Sequence, residues 1–501
     1  MASLELQGVP ADPATVTGAG AAHGFEFHEA TVDAIQLGFS NGTLTSTALV
    51  QFYLDQIGRL NPLLHAVIEV NPDALPQAKH ADAERHGGTA TGALHGVPIL
   101  LKDNIATRDA LSTTAGSLAL LGSVVKRDAG VVARLRCAGA VVLGKASLSE
   151  WANFRPVDNG WSARGGQARN PYVLSSTPCG SSAGSGVAAA ANMAACETDG
   201  SILCPSSFNS VVGIKPTLGL TSRAGVVPIT PLQDTVGPMC RTVSDAVHVL
   251  DAIVGYDEHD AAATGAASKY IPHGGYAQFL NKDGLRGKRI GVPNGFFQRY
   301  GQTQLNVYKQ HLATMRELGA VVVEKLDVAA NLSALLDEIG SNEAIAMQAE
   351  FKLSINAYLA DLVHTPVHSL ADIIAFNNKH PVEERLKDFG QPDLIAAESR
   401  NGIGPVERAA IQRLKELNAN GLEKMMKEHQ LDAIVAPNSA ISSLLAIGGH
   451  PGIVVPAGYD DKGVPFGICF GGLQGYEPRL IEMAYAFEQA TKVRRQPMFK
   501  P

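Results

Sequence analysis

The sequence predicts an α/β protein built on a largely buried sheet. Three observations lead there. Short apolar runs alternate with stretches of helical periodicity along the chain. Hydrophobic residues make up 45% of the 501 positions and charged residues 18%, enough apolar material for a large core and too few charges for a disordered chain. Neither an internal repeat nor a long linker interrupts the pattern, so residues 25–501 read as one large domain behind a flexible tail, Met1–Gly24.

The elements follow in order. Ala30–Phe39 reads as a helix stopped by Asn41-Gly42, and Ser46–Leu60 as a second, with Leu49, Phe52, Leu54, Ile57 and Leu60 on one face and Asn61-Pro62 as its end. His65–Val70 is a short β-rich run. Val97–Leu101 is a compact apolar strand ending at Lys102-Asp103-Asn104. Asp128–Ala138 follows as a helix and Ala140–Leu143 as the next strand. Residues 159–240 are dense in Gly, Ser, Pro and Thr, yet hold an Ala-rich helix, Gly186–Ala195, and an apolar strand, Val211–Ile214. The alternation resumes with strand Arg289–Val292, helix Leu305–Leu318 and strand Val321–Val323. A mostly helical stretch then spans Asn331–Leu362, followed by helix Val406–His429 and strand Leu431–Ala436. Ile453–Val455 and Phe466–Phe470 are late strands, and Glu477–Val493 is a closing amphipathic helix.

Composition excludes several classes. The net charge is −7 and no basic block stands out, so no nucleic-acid footprint is present. No window approaches an uninterrupted apolar span, so stable membrane insertion is not expected. The N-terminus lacks the basic and apolar regions of a signal peptide, which favours a soluble, cytoplasmic protein. Six cysteines, Cys137, Cys179, Cys196, Cys204, Cys240 and Cys469, form no CxxC pair and read as buried free thiols of a reducing compartment. The 15 histidines form no HExxH pair and fit no GxSxG order, and Pro366 separates His364 from His368, so neither a metal nor another cofactor is expected.

Two Gly/Ser turns flank the Ala-rich helix: Cys179-Gly180-Ser181-Ser182-Ala183-Gly184-Ser185 before it and Glu197-Thr198-Asp199-Gly200-Ser201-Ile202 after it. Such turns let a backbone approach a substrate closely, and successive N–H groups can hold an oxyanion. A serine nucleophile needs a base. With no histidine arranged for it, a buried lysine is the alternative, because burial disfavours the ammonium form. Lys102, Lys145 and Lys215 are all candidates on this ground.

These segments resemble the amidase signature family. The likeness lies in Gly96–Asn104, in Gly180–Ser185, and in Thr198–Ile202 continuing to Gly213-Ile214-Lys215-Pro216-Thr217. It extends through Asp234–Met239 and Pro451–Gly458, from about Phe25 to the C-terminus, and is nearest to plant amidases similar to bacterial peptide amidase. The resemblance implies a single α/β/α sandwich around a mixed, mostly parallel sheet. It implies hydrolysis of a carboxylic amide through an acyl-enzyme, with Ser201 as nucleophile, Ser181 as a bridging serine after a cis peptide bond, and Lys102 as base. The backbone of Thr198, Asp199 and Gly200 would hold the oxyanion. The implied partner is a small-molecule or peptide amide, and the implied assembly a monomer or homodimer.

The chain departs from the family at one place. Ser181 and Ser201 are 20 residues apart, about four fewer than the family spacing, or about 13 Å of extended chain. The shortfall lies between Ala195 and Glu197, where relatives have a strand feeding the nucleophile turn. The Ala-rich helix could shorten to rebuild that strand, since it covers only about 1.5 Å per residue. A catalytically silent amidase-fold protein and the glutaminase subunit of a tRNA-dependent amidotransferase are the competing readings.

Overall fold

The computed structural model describes residues 24–194, 196–199 and 201–501, and the side chains of 196–199 are not among the described parts. Apart from Gly24, the expected tail lies outside the described residues.

The strands are β1 (Val67–Val70), β2 (Pro98–Lys102), β3 (Val141–Ala146), a small hairpin of β4 (Trp161–Ser162) and β5 (Gly166–Gln167), then β6 (Cys196–Asp199), β7 (Val212–Lys215) and β8 (Gly237–Cys240). The second half adds β9 (Arg289–Pro293), β10 (Val321–Leu326), β11 (Ala433–Pro437), β12 (Gly452–Tyr459) and β13 (Pro465–Gly471). Eleven of them form one sheet in the order β1-β3-β2-β6-β8-β7-β12-β13-β11-β9-β10.

The sheet is mixed, but "mostly parallel" is corrected. Among the described residues four neighbouring pairs are parallel, β3/β2, β2/β6, β11/β9 and β9/β10. Six are antiparallel. Connection length accounts for the β12/β13 pair. β12 ends at Tyr459 and β13 starts at Pro465, and a parallel crossover needs about a dozen residues or more. Parallel crossovers survive at the two flanks, and the centre is antiparallel.

Both faces of the sheet are covered. Ile453 and Val455 of β12, with Ile468 and Phe470 of β13, pack in one apolar cluster with Val243 and Leu250 and with Leu480 and Phe487 of the closing helix, Glu477–Thr491. The intervening Val454 and Cys469 pack in another, with Leu203, Met425, Leu445 and the first half of the long helix Leu332–Asp361. Strand side chains alternate between faces, so this division is that of a three-layer α/β/α sandwich. The second half of the long helix, with Phe351, Ile355 and Leu359, joins Trp151, Val227, Leu370 and Leu394 in a separate cluster. No described helix is long and apolar enough to cross a membrane.

Three helix boundaries differ from the sequence reading. The second helix runs through Asn61-Pro62 to Leu64. Pro62 gives up one backbone hydrogen bond in the last turn, and Asn61 ties that turn to β1, its Nδ2 donating to Val67 O and its Oδ1 accepting from Val67 N, both at 2.8 Å. The expected helix Val406–His429 is Pro405–Asn418, a wider turn at Ala419–Glu423, then Lys424–Glu428. The Ala-rich helix covers Ala183–Ala190 instead of Gly186–Ala195.

That last difference restores the strand that the spacing threatened. Ending the helix at Ala190 releases residues to β6, which pairs parallel with β2 (Ile99↔Cys196, Leu101↔Thr198) and antiparallel with β8 (Cys196↔Cys240, Asp199↔Gly237). Two arginines brace the early helix end. Arg241, buried, donates from Nη1 to Ala189 O at 3.5 Å and to Ala194 O at 2.6 Å in the segment that follows, and from Nη2 to Ala30 O at 2.8 Å. Arg494 Nη2 donates to Ala190 O at 3.1 Å while forming a two-pronged pair with Glu29.

Candidate active site

Lys102 is the last residue of β2 and is fully buried. Its Nζ donates to Ser181 Oγ and to Ser182 Oγ, each at 2.8 Å. The Ser181 hydroxyl donates to Ser201 Oγ at 2.7 Å. Ser201 N donates to Ser182 Oγ at 3.3 Å. A continuous line of hydrogen-bonding groups therefore runs from the lysine amine to Ser201.

Local structure explains how the parts meet. The Gly180–Ser181 peptide is cis. Ser149 N donates to Ser181 O at 2.8 Å, and a Cβ on Gly180 would stand 2.6 Å from Ser149 Oγ, so only glycine fits there. The helix after Ser182 is Ala/Gly-rich because it presses on backbone. A Cβ on Gly184 would meet Ser147 N and O at 2.4 Å. β6 lies beside β2 in the sheet and leads into the Ser201 turn, so sheet register sets the distance from Lys102 to Ser201.

A disulfide, Cys179–Cys204, joins the two turns across 25 residues. This corrects the expectation of free thiols: the cysteines are distant in sequence, and only the return of β6 beside the Ser181 turn brings them together. Cys137 is free but exposed, while Cys240 and Cys469 are free and buried as expected.

Lys145 is buried too and Lys215 is partly buried, and desolvation pushes each down to about 8. Neither amine has a hydrogen bond to Ser181 or Ser201. Lys145 Nζ donates to Ile105 O at 2.5 Å and Thr113 Oγ1 at 3.0 Å. Lys215 Nζ donates to His450 O at 2.6 Å. Asp103, next to Lys102, is held by Thr114 Oγ1, Gly116 N and Arg164 Nη1, and its burial raises its carboxyl despite the nearby arginine.

Ser181 and Ser201 open onto a cleft of about 410 Å³. Its walls include Phe154, Ile229, Met347, Gln348 and Asp393. Ala344, Met347 and Gln348 of the long helix form part of the wall. Residues 438–443 do not line the cleft: Asn438 Oδ1 accepts from Ser207 Oγ and Gly467 N. A smaller cavity of about 40 Å³ lies against Ser201, Lys102, Asn104 and Asp234. Asp234 accepts from Ile229 N and Thr230 N and is pushed up to about 6 by burial. A larger cavity of about 620 Å³, bordered by His311, Tyr459 and Lys500, contains none of these groups.

Of the expected oxyanion residues, Thr198 and Asp199 lie on β6, with side chains not described, and Gly200 lies outside the described residues. Gln348 and Asp393 were missed by sequence reasoning, because their helical region carries no motif.

The amidase family profile matches residues 48–447. The chain belongs to the amidase family. This amidase is 56% identical over 483 residues to a probable amidase of Arabidopsis thaliana, covering 95% of this chain and 92% of the relative. Its fold is similar to that of native peptide amidase from Stenotrophomonas maltophilia, with a TM-score of 0.88 and 44% identity, covering 95% of this chain and 100% of that one. A glutamyl-tRNA(Gln) amidotransferase component of Microcystis aeruginosa is 32% identical over 496 residues, covering 92% of this chain and 97% of the relative. The amidase is a hydrolase of amide C–N bonds, as its family is.

Proposed function

We propose that residues 25–501 form one amidase domain that hydrolyses a small-molecule or peptide amide, with the C-terminal amide of a peptide as the favoured substrate class. Ser201 is the nucleophile, Ser181 the bridge and Lys102 the base. The observation that carries this reading is the line Lys102 Nζ–Ser181 Oγ–Ser201 Oγ, with contacts of 2.8 and 2.7 Å at the floor of the cleft. The family likeness and the rebuilt β6 register support it.

In the acylation step the Lys102 amine accepts the Ser181 proton while Ser181 accepts the Ser201 proton. Ser201 Oγ attacks the amide carbonyl. The tetrahedral oxyanion is assigned to backbone N–H groups of Thr198, Asp199 and Gly200, as the family resemblance implies. Collapse breaks the C–N bond, and the proton returns from Lys102 through Ser181 to the departing nitrogen. Water then attacks the acyl-enzyme by the same proton route, releasing the acid and restoring Ser201. Every proton taken up is returned, and no cofactor is required.

The test is labelling with a fluorophosphonate, mapped by mass spectrometry, beside hydrolysis of a peptide amide. Label at Ser201 is expected, and both Ser201→Ala and Lys102→Ala should lose hydrolysis while keeping a cooperative melt. Retained turnover in either folded variant would overturn the assignment.

A further inference from the structure

We infer that Asp393 and Gln348 form the acyl-side specificity site of this amidase. It binds a second amide of the substrate, beyond the scissile one, and favours a cationic over an anionic group there. The inference rests on the serine mechanism proposed above.

Both residues line the same cleft as Ser181 and Ser201, and that cleft of about 410 Å³ has room for more than the scissile amide. Its other walls are largely apolar: Phe154, stacked on Phe351 at 3.9 Å, with Ile229, Ala344 and Met347. A few polar groups on an apolar wall are the usual source of orientation and selectivity in such a site.

The two groups have opposite hydrogen-bonding character. Gln348 Oε1 accepts from Arg400 Nε at 3.2 Å and from Arg400 Nη2 at 2.9 Å. A guanidinium only donates, so the amide oxygen is fixed toward Arg400 and the Gln348 NH₂ is left as a donor. Asp393 is half-buried, and among the described residues its carboxylate has neither a hydrogen-bond donor nor a basic partner. One donor and one acceptor on the same wall match the C=O and N–H of a peptide group.

The surrounding charge fixes the sign of the preference. Arg400 is occupied by Gln348 and by Glu407 at 3.5 Å. Glu343 and Glu350, on the same helix as Gln348, are held by Gln233 and by Thr230. The carboxylate of Asp393 therefore faces the cleft without a compensating cation, and a ligand carboxylate beside it would be repelled.

Asp393 is also held in place. Arg155, fully buried, pairs with Glu150 and Glu384 at 2.7 Å each, and its Nε donates to Gly390 O at 2.9 Å. Gln391 is tied to Asn377 and Asn378 at 3.0 Å. The helix Pro392–Glu398 that carries Asp393 starts directly after these anchors. Arg155 thus connects the Ala152–Phe154 wall to the segment bearing Asp393.

The experiment compares three N-acetylated dipeptide amides, Xaa-Phe-NH₂ with Xaa as Lys, Gln or Glu, using the full chain. The expected order of kcat/KM is Lys above Gln above Glu, with about a tenfold span, carried mainly by KM. Asp393→Asn should bring the Lys/Glu ratio close to one, and Asp393→Lys should invert it. Near-equal rates on all three with wild type, or an unchanged ratio in Asp393→Asn, would overturn the specificity site while leaving the serine mechanism standing. No hydrolysis of any amide together with no fluorophosphonate label on Ser201 would overturn the mechanism and this site with it.

Discussion

Lys102, Lys145 and Lys215 show how far residue type carries an argument about chemistry. All three follow apolar or glycine-rich segments, and burial depresses both Lys145 and Lys215 to about 8. Depression alone would point to the wrong amines, since these two are tied to carbonyl oxygens. Contact with serine singles out Lys102. Ser182 is the second residue that geometry adds, since its Oγ accepts from both Lys102 Nζ and Ser201 N. Ser182→Ala is expected to lower kcat by about 10- to 100-fold, because small misplacements of reacting groups have effects of that size. Ser181→Ala should lower it further, as it cuts the proton route itself. Steady-state kinetics on one peptide amide would rank the two, and equal effects would argue against separate bridging and positioning roles.

At the scale of elements, the short Ala-rich helix is the feature on which the site depends. It ends at Ala190, and β6 can then reach the β2 register. Arg241 joins Ala189 O, near the helix end, to Ala194 O in the segment leading to β6 and to Ala30 O. Arg241→Met should destabilise the fold by about 2–4 kcal/mol, since it strands buried carbonyls, and should lower kcat by loosening the Ser201 turn. Denaturant unfolding and kinetics on the same variant test both parts. The Cys179–Cys204 disulfide closes a 25-residue interval that contains the helix, β6 and both serines. A crosslink of that span contributes about 3 kcal/mol in the chain-entropy account. Cys179→Ser with Cys204→Ser should lower the melting temperature, and a dithiol reductant should lower the wild type to match. A wild-type melt indifferent to reductant would show that the bond is not formed.

At the scale of the whole molecule, the three layers bury ionisable groups as well as apolar ones. Glu488, on the closing helix, accepts from Val243 N at 2.9 Å and is pushed up to about 7 by burial. The sign follows from proton counting. Between about pH 4.5 and 7 the folded chain keeps this proton while the unfolded chain has lost it, so the group's contribution to stability falls as pH rises. The cost is complete above about pH 7, and a shift of this size corresponds to at most about 3–4 kcal/mol. Glu488→Gln keeps the acceptor and removes the titration. The variant should match wild type near pH 4 and become progressively more stable than it toward pH 7. Urea unfolding across that range measures the difference, and parallel curves would count against a raised Glu488.

The serine turns, the alternation of elements and the apolar strands were legible because each depends on local chemistry. Glycine is demanded where a Cβ has no room, against side chains at Gly180 and against backbone at Gly184, and a doubly covered strand is apolar, as β11 is throughout and β2 is up to Lys102. The missed features are all non-local. The antiparallel centre of the sheet depends on which strands meet, not on their composition. The disulfide joins cysteines that only strand pairing brings together. Asp393 lies far along the chain from Ser201 in a helix without a motif, yet borders the same cleft. The sequence by itself determined an α/β chain of the amidase family with two serine turns and three eligible lysines. Tertiary structure alone decided which lysine touches the serines, how the shortened spacing is absorbed and which side chains face the substrate, because contact across the sheet is set by register and packing and not by nearness along the chain.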